Sequence, residues 1–88
     1  MVKIALWPEA EKDLSRLTRP IRRTILHACH EIFDDWSIGK QLTGTLRAYR
    51  VHRVGVYRIL YKIRESSSIE IVAIGHRKDI YERVAKRG

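Results

Sequence analysis

The chain has 88 residues, which is room for one domain over residues 1–88 and one modest core. Its 18 Lys and Arg against 10 Asp and Glu leave a net charge of +8, a balance that points to nucleic acid, an acidic protein or an anionic membrane as partner. No apolar run approaches the roughly 20 residues that span a bilayer, and the single Cys29 excludes an internal disulfide. The opening stretch from Met1 to Pro8 lacks a signal peptide's long apolar region and small-residue cleavage site. A cytoplasmic protein with no membrane partner is therefore expected.

In chain order, Val2 to Trp7 alternates loosely and predicts a first strand. Pro8 stands at a favoured first helical position, and Glu9 and Glu11 follow where a helix N-terminus welcomes negative charge. Ala10, Leu14 and Leu17 recur at helical spacing, so Pro8 to Leu17 predicts an amphipathic helix. Pro20 opens a second helix with Ile21, Ile25, Ala28, Cys29 and Ile32 as its apolar stripe and Phe33 and Trp36 near its end. The two helices form a hairpin that packs on a sheet. Ser37 to Gly44 reads as loop. From Thr45 to about Ile74 the period is two, and Ser66-Ser67-Ser68 reads as a hairpin turn. A short helix from Lys78 to Lys86, with Ile80 and Val84 on one side, closes the chain. The fold class is α+β: strand, helical hairpin, a mainly antiparallel sheet of about four strands, and a C-terminal helix.

Register decides where the charges go. After Gly55, the residues Tyr57, Ile59, Tyr61 and Ile63 share one face, and Val56, Arg58, Leu60, Lys62 and Arg64 share the other. A three-residue loop at Val54, Gly55 and Val56 sets Val51 opposite Ile59 and Tyr49 opposite Tyr61 on a core face. It sets His52 opposite Arg58 and Arg50 opposite Leu60 on the other. In the next hairpin, a loop at Glu65, Ser66 and Ser67 sets Ile63 opposite Ile69, Tyr61 opposite Ile71 and Lys62 opposite Glu70 as a cross-strand ion pair. The same register carries His76 to the face of His52 and Arg58. The expectation is one cationic patch of Arg50, His52, Arg58 and His76, with Arg77 next along the chain.

Such a patch holds the groups that cut RNA without metal or covalent intermediate. The 2′-hydroxyl attacks the adjacent phosphorus and the 5′-oxygen leaves. One group takes the 2′ proton, one protonates the leaving oxygen, and cations offset the phosphorane's charge. Histidine titrates near neutrality, and arginine can hold two phosphate oxygens at once. Plain phosphate binding or a solvated face uses the same residue types. Other residues read as structural. Tyr57 and Tyr61 are core residues, Gly55 and Gly75 serve backbone geometry, and Arg47 and Arg53 flank the core and snorkel. His27, His30, Glu31 and Asp34 form a solvated helix face, not a metal site, and Cys29 is a buried thiol. Tyr81 either pins the last helix or belongs to the site. Arg16, Arg19, Arg22 and Arg23 crowd the helix junction and contact RNA, an acidic partner, or neither.

Four motifs in order carry a resemblance. They are Lys40-Gln41-Leu42-Thr43-Gly44, Tyr49-Arg50-Val51, Gly55-Val56-Tyr57-Arg58-Ile59-Leu60-Tyr61, and Gly75-His76-Arg77-Lys78-Asp79-Ile80-Tyr81. Together they resemble the RelE/ParE toxin superfamily, most of all its RelE branch, over nearly the whole chain. The resemblance implies a RelE-like, microbial-ribonuclease-like fold and the toxin of a type II toxin–antitoxin system that cuts messenger RNA in the ribosomal A site. It implies no cofactor and no metal. It implies a cognate acidic, RelB-like antitoxin, with operator DNA reached only through the antitoxin complex. It puts Arg58 on the phosphate-stabilising arginine, Arg77 on the arginine after the last strand and Tyr81 on the C-terminal tyrosine. Arg50 and His52 stand where well-studied members carry lysines. Since arginine keeps its proton, the base falls to His52 or His76. Two alternatives share the fold: a ParE-like toxin that inhibits DNA gyrase by protein binding, and a non-catalytic member that only binds antitoxin or operator.

Overall fold

A computed structural model describes residues 3–65, 68–76 and 79–86. Strand β1 (Lys3–Leu6) leads into helices α1 (Pro8–Ser15) and α2 (Arg19–Asp34). A two-residue strand β2 (Lys40–Gln41) lies between two 3-10 turns, at Trp36–Ile38 and Gly44–Leu46. Strands β3 (Arg50–Val54), β4 (Tyr57–Glu65) and β5 (Ser68–Gly75) follow, and helix α3 (Asp79–Ala85) ends the described chain. No helix among the described residues is long and apolar enough to cross a membrane.

The helices form as their patterns predict. α1 starts on Pro8 with Glu9 and Glu11 in its first turn, and buries Ala10, Asp13 and Leu14 at spacings of three and four. α2 buries Ile25, Ala28, Cys29 and Ile32. Arg22 closes the helical hairpin: it donates to the carbonyls of Leu14, Ser15 and Leu17 at and just beyond the end of α1, where Leu14 also accepts from the Leu17 N–H. Arg16, Arg19 and Arg23 are exposed.

The sheet order is β1-β5-β4-β3-β2, with β1 parallel to β5 and the other pairs antiparallel. The sheet therefore has five strands rather than about four, because Lys40 and Gln41 pair with Val51 and Arg50 inside the expected loop. The period-two run begins late, since residues 44–46 form a 3-10 turn with Gly44 at φ +65°. Arg47 lies in the turn that follows and is exposed. Both sheet faces are covered. On one, Ile59, Tyr61, Ile69, Ile71 and Ile74 pack against α1 and α2. On the other, Val51, Leu60, Val72 and Ala73 pack under Ile80 and Val84 of α3.

Two departures from the expected register reposition the charges. The β3–β4 loop has two residues, not three: Val54 pairs with Tyr57 across Gly55 and Val56. Gly55 has φ +60° and no other residue there is positive, the sign pattern of a type II′ turn, whose twist suits a hairpin. One residue's difference inverts β3. Arg50 now opposes Tyr61, His52 opposes Ile59 and Arg53 opposes Arg58. The β4–β5 pairing is as expected from Ile63↔Ile69 to Tyr61↔Ile71, and then Leu60 pairs with Ala73. Val72 is thus an extra residue in β5, a bulge with both Val72 and Ala73 buried. The bulge places Gly75, not His76, on the face of Arg58.

Candidate phosphate-binding cleft

The expected patch is divided between the two faces of the sheet. Arg58 and Tyr81 come together, with the guanidinium 5.8 Å from the centre of the phenol ring. Arg53 stands opposite Arg58 on the same face and is exposed, so it does not flank the helix-side core. Lys40 reaches the same region from the edge strand β2. With Ile38, Leu42, Val51 and His52, these residues border an open cleft of about 450 Å³. Arg58 is half-buried, and its Nε is buried with no hydrogen-bond partner. A buried donor left unmade is costly, and a phosphate oxygen would satisfy it.

Arg50 lies on the other face and is engaged there through its two terminal nitrogens, although its buried Nε, like that of Arg58, has no hydrogen-bond partner. It donates to the carbonyls of Ser37 (3.3 Å) and Gly39 (2.6 Å) and to Oε1 of Gln41 (3.0 Å), and its guanidinium lies 5.3 Å from the Trp36 ring. Tyr61, fully buried beneath it, donates to the Trp36 carbonyl and accepts from the Gly39 N–H at 3.0 Å. Burial pushes the Tyr61 phenol above its usual pKa, although bonds from Arg50 and Gly39 oppose the shift. This polar set fastens residues 36–41, and so holds Lys40 at the cleft.

His76 is exposed and sits on the α1 side, its ring 5.8 Å from that of Tyr57. His52 belongs to the helix-side face by register yet borders the cleft, near the short edge strand. Arg77 lies outside the described residues. Lys62 and Glu70 are opposed as expected, but the Glu70 carboxylate takes Trp7 Nε1 at 3.1 Å and Arg64 Nε at 3.4 Å. The Lys62 ammonium lies over the rings of Trp7 and Tyr49 instead, at 5.6 and 5.9 Å. Pattern reading missed Lys40 and Arg53. The signal that could have found Arg53 is Gly55 itself, read as the first central residue of a two-residue turn. Lys40 fits the habit of placing lysine on edge strands.

The family profile described as the ParE toxin of the type II toxin–antitoxin system parDE matches residues 4–81. The chain belongs to the ParE toxin family. Among solved structures, this ParE-family chain is similar to the RelBE2 toxin–antitoxin complex of Mycobacterium tuberculosis. The identity is 25% over 86% of this chain and 98% of that one, with a TM-score of 0.79. It is also similar to the RelB–RelE antitoxin–toxin complex of Methanococcus jannaschii, at 26% identity over 90% and 96% of the two chains and a TM-score of 0.69. The isolated Escherichia coli RelE toxin, at 20% identity, covers 99% of this chain and 98% of its own with a TM-score of 0.72, a likeness of fold alone. No curated protein sequence matches. The RelE/ParE resemblance and the RelE-like fold are thereby borne out.

Proposed function

We propose that this ParE-family toxin cuts messenger RNA in the ribosomal A site, by attack of a 2′-hydroxyl on the adjacent phosphorus. The observation that carries this reading is the opposition of Arg53 and Arg58 in one cleft with Lys40 and Tyr81. Like charges directly opposite on a sheet repel, and a phosphate between them relieves that repulsion. In the reaction the P–O2′ bond forms and the P–O5′ bond breaks, leaving a cyclic phosphate and a 5′-hydroxyl. Arg58 holds the phosphorane oxygens through its unpartnered side. Tyr81 orients the phosphate or stacks on a base. His52, at the rim, transfers a proton. Arg77 supplies a second phosphate contact in the family pattern, whereas His76, on the α1 side of the sheet, takes no part in the cleft. No cofactor or metal takes part.

The Mycobacterium and Methanococcus relatives were solved with antitoxins. The charge of +8 suits an acidic antitoxin here, and operator DNA would be met through that complex. The test is a translation extract supplied with the purified toxin and read by primer extension. Cuts should map to A-site codons only when ribosomes are present. Intact transcripts in the presence of soluble, folded toxin would overturn the reading.

The ParE family match favours a second reading, a toxin that inhibits DNA gyrase by binding it. The cationic cleft is then dispensable. Growth arrest that survives replacing Arg58 and Arg77 together by alanine would favour gyrase.

A further inference from the structure

We propose that Asp13 of α1 is a positioning residue: it ties the end of β5 to α3, and thereby seats Tyr81 over Arg58. The inference rests on the ribonuclease reading for its effect on catalysis, but the tie itself is independent of it.

Asp13 is the buried charged residue among those described, 9% exposed. One of its oxygens, Oδ2, accepts from two partners far away in the chain. The Ile74 N–H donates to it at 2.9 Å and Arg83 Nη2 at 2.7 Å. Glu9, one turn earlier, accepts from Arg83 Nε and Nη2 at 2.9 and 2.6 Å. Burial lowers the affinity of the Arg83 guanidinium for its proton, and the bonds to Glu9 and Asp13 outweigh that and raise it. Ile74 precedes and Arg83 follows the stretch that contains His76, Arg77 and Tyr81. One carboxylate therefore fixes both ends of the segment that bears the C-terminal site residues.

The tie matters because α3 is only seven residues long. A helix that short does not hold itself together in water. Ile80 and Val84 bury it, but apolar contact is non-directional and leaves rotation and sliding open. The charge-assisted bonds of an arginine fork fix direction as well as distance. Tyr81 is two residues from Arg83, so a shift of α3 moves the ring off Arg58.

The test compares wild type, Asp13→Asn and Arg83→Ala as full-length chains by hydrogen exchange and by single-turnover cleavage of messenger RNA on programmed ribosomes. Both variants should speed exchange in residues 79–86 at least tenfold and leave α2 and β4 unchanged. The single-turnover cleavage rate should fall by about 10²-fold, the scale of a small misplacement, with the half-saturating toxin concentration within twofold. The double variant should fall short of the sum of the two single effects, because both break the Asp13–Arg83 contact, while Asp13→Asn also alters the bond from Ile74 and Arg83→Ala the bonds to Glu9. Asp13→Glu should restore neither reading, since the longer side chain changes the distance. Faster exchange spread evenly over α2, β4 and α3 would overturn the proposal, as that marks a residue acting on stability alone. So would unchanged exchange in α3, or an unchanged cleavage rate in both variants when the wild type cleaves. If Asp13→Asn does not fold, Arg83→Ala, whose side chain is 40% exposed, gives the same two readings. If the wild type cleaves no messenger RNA on ribosomes, the ribonuclease reading fails and exchange in α3 still decides the tie.

Discussion

Arg53 and Arg58 face each other across the β3–β4 ladder, two permanent positive charges on neighbouring strands of one face. Such a pair weakens a sheet by roughly 0.2–1 kcal/mol. Nothing in packing demands it, because Arg53 is exposed. The cost is understandable where the pair serves a ligand of opposite charge. Arg53→Gln should accordingly raise the melting temperature by a few degrees, by about 4–8 °C per kcal/mol in a domain of this size. The same change should weaken binding to single-stranded RNA and make the salt dependence of binding shallower by about one phosphate contact. Calorimetry and a salt titration check the two directions. A loss of stability would mean that the pair is not repulsive in the free protein.

Arg50 and Arg58 look equivalent in the chain and should behave differently when replaced. Arg58→Ala should lower single-turnover cleavage by about 10²–10³-fold with little effect on stability. Lysine should restore little, because it lacks the planar fork. Arg50→Ala strips donors from the Ser37 and Gly39 carbonyls and uncovers Trp36. It should cost about 1–3 kcal/mol of stability and leave cleavage by the folded fraction within a few-fold of wild type. Urea melts beside cleavage assays separate the two. A selective loss of cleavage in a fully stable Arg50→Ala protein would return Arg50 to the chemistry.

Gly39 should not tolerate a side chain. A Cβ there would lie 2.3 Å from the Tyr61 hydroxyl and 2.8 Å from its ring. Gly39→Ala must displace a fully buried tyrosine that bridges Trp36 and Gly39, and should cost about 1–3 kcal/mol by overpacking. Gly39→Ala combined with Tyr61→Phe removes the hydroxyl from the collision and should recover part of that loss. Equal melting curves for wild type and Gly39→Ala would contradict this contact.

The Cys29 thiol is held by burial at a pKa of about 11. Its folded value lies above the ordinary one, so its contribution is fully present below the ordinary pKa, 9.0. It is lost as pH rises towards 11, by roughly 2–3 kcal/mol at about 1.4 kcal/mol per unit. Tyr61, raised by burial, acts in the same direction above pH about 10. Stability should therefore decline from about pH 9 upwards, and Cys29→Val should move the onset to higher pH. Alkylation at pH 8 should be slow in the folded protein and fast in urea. Rapid native-state labelling would show that the thiol is not shielded.

Much of this fold is determined by sequence alone. Pro8 with its acidic first turn, the stripe from Ile21 to Ile32 and the alternation of β4 each select one local structure, because helix and strand periods differ and each element must bury one side. Cys29 as a buried thiol, the pairing of β4 with β5 from Ile63↔Ile69 to Tyr61↔Ile71, and Ile80 and Val84 as the anchors of α3 follow from the same patterns, whereas Glu65 pairs with Ser68 instead of joining the expected loop. The toxin superfamily was legible too, in four motifs that need only order and spacing. The face on which each charge emerges was decided by tertiary structure. A strand with apolar residues at alternate positions has two possible orientations when both faces of a sheet are covered, as they are here by α1 and α2 and by α3. One residue fewer at Gly55 and one more at Val72 then settle the matter. They turn Arg53 towards Arg58, and they send Arg50 and His76 to the other side. Period-two arithmetic carries no information on loop length or bulges, which depend on twist and on packing between distant segments. The same holds for Asp13, whose partners lie 61 and 70 residues away along the chain and meet it only once the sheet has formed.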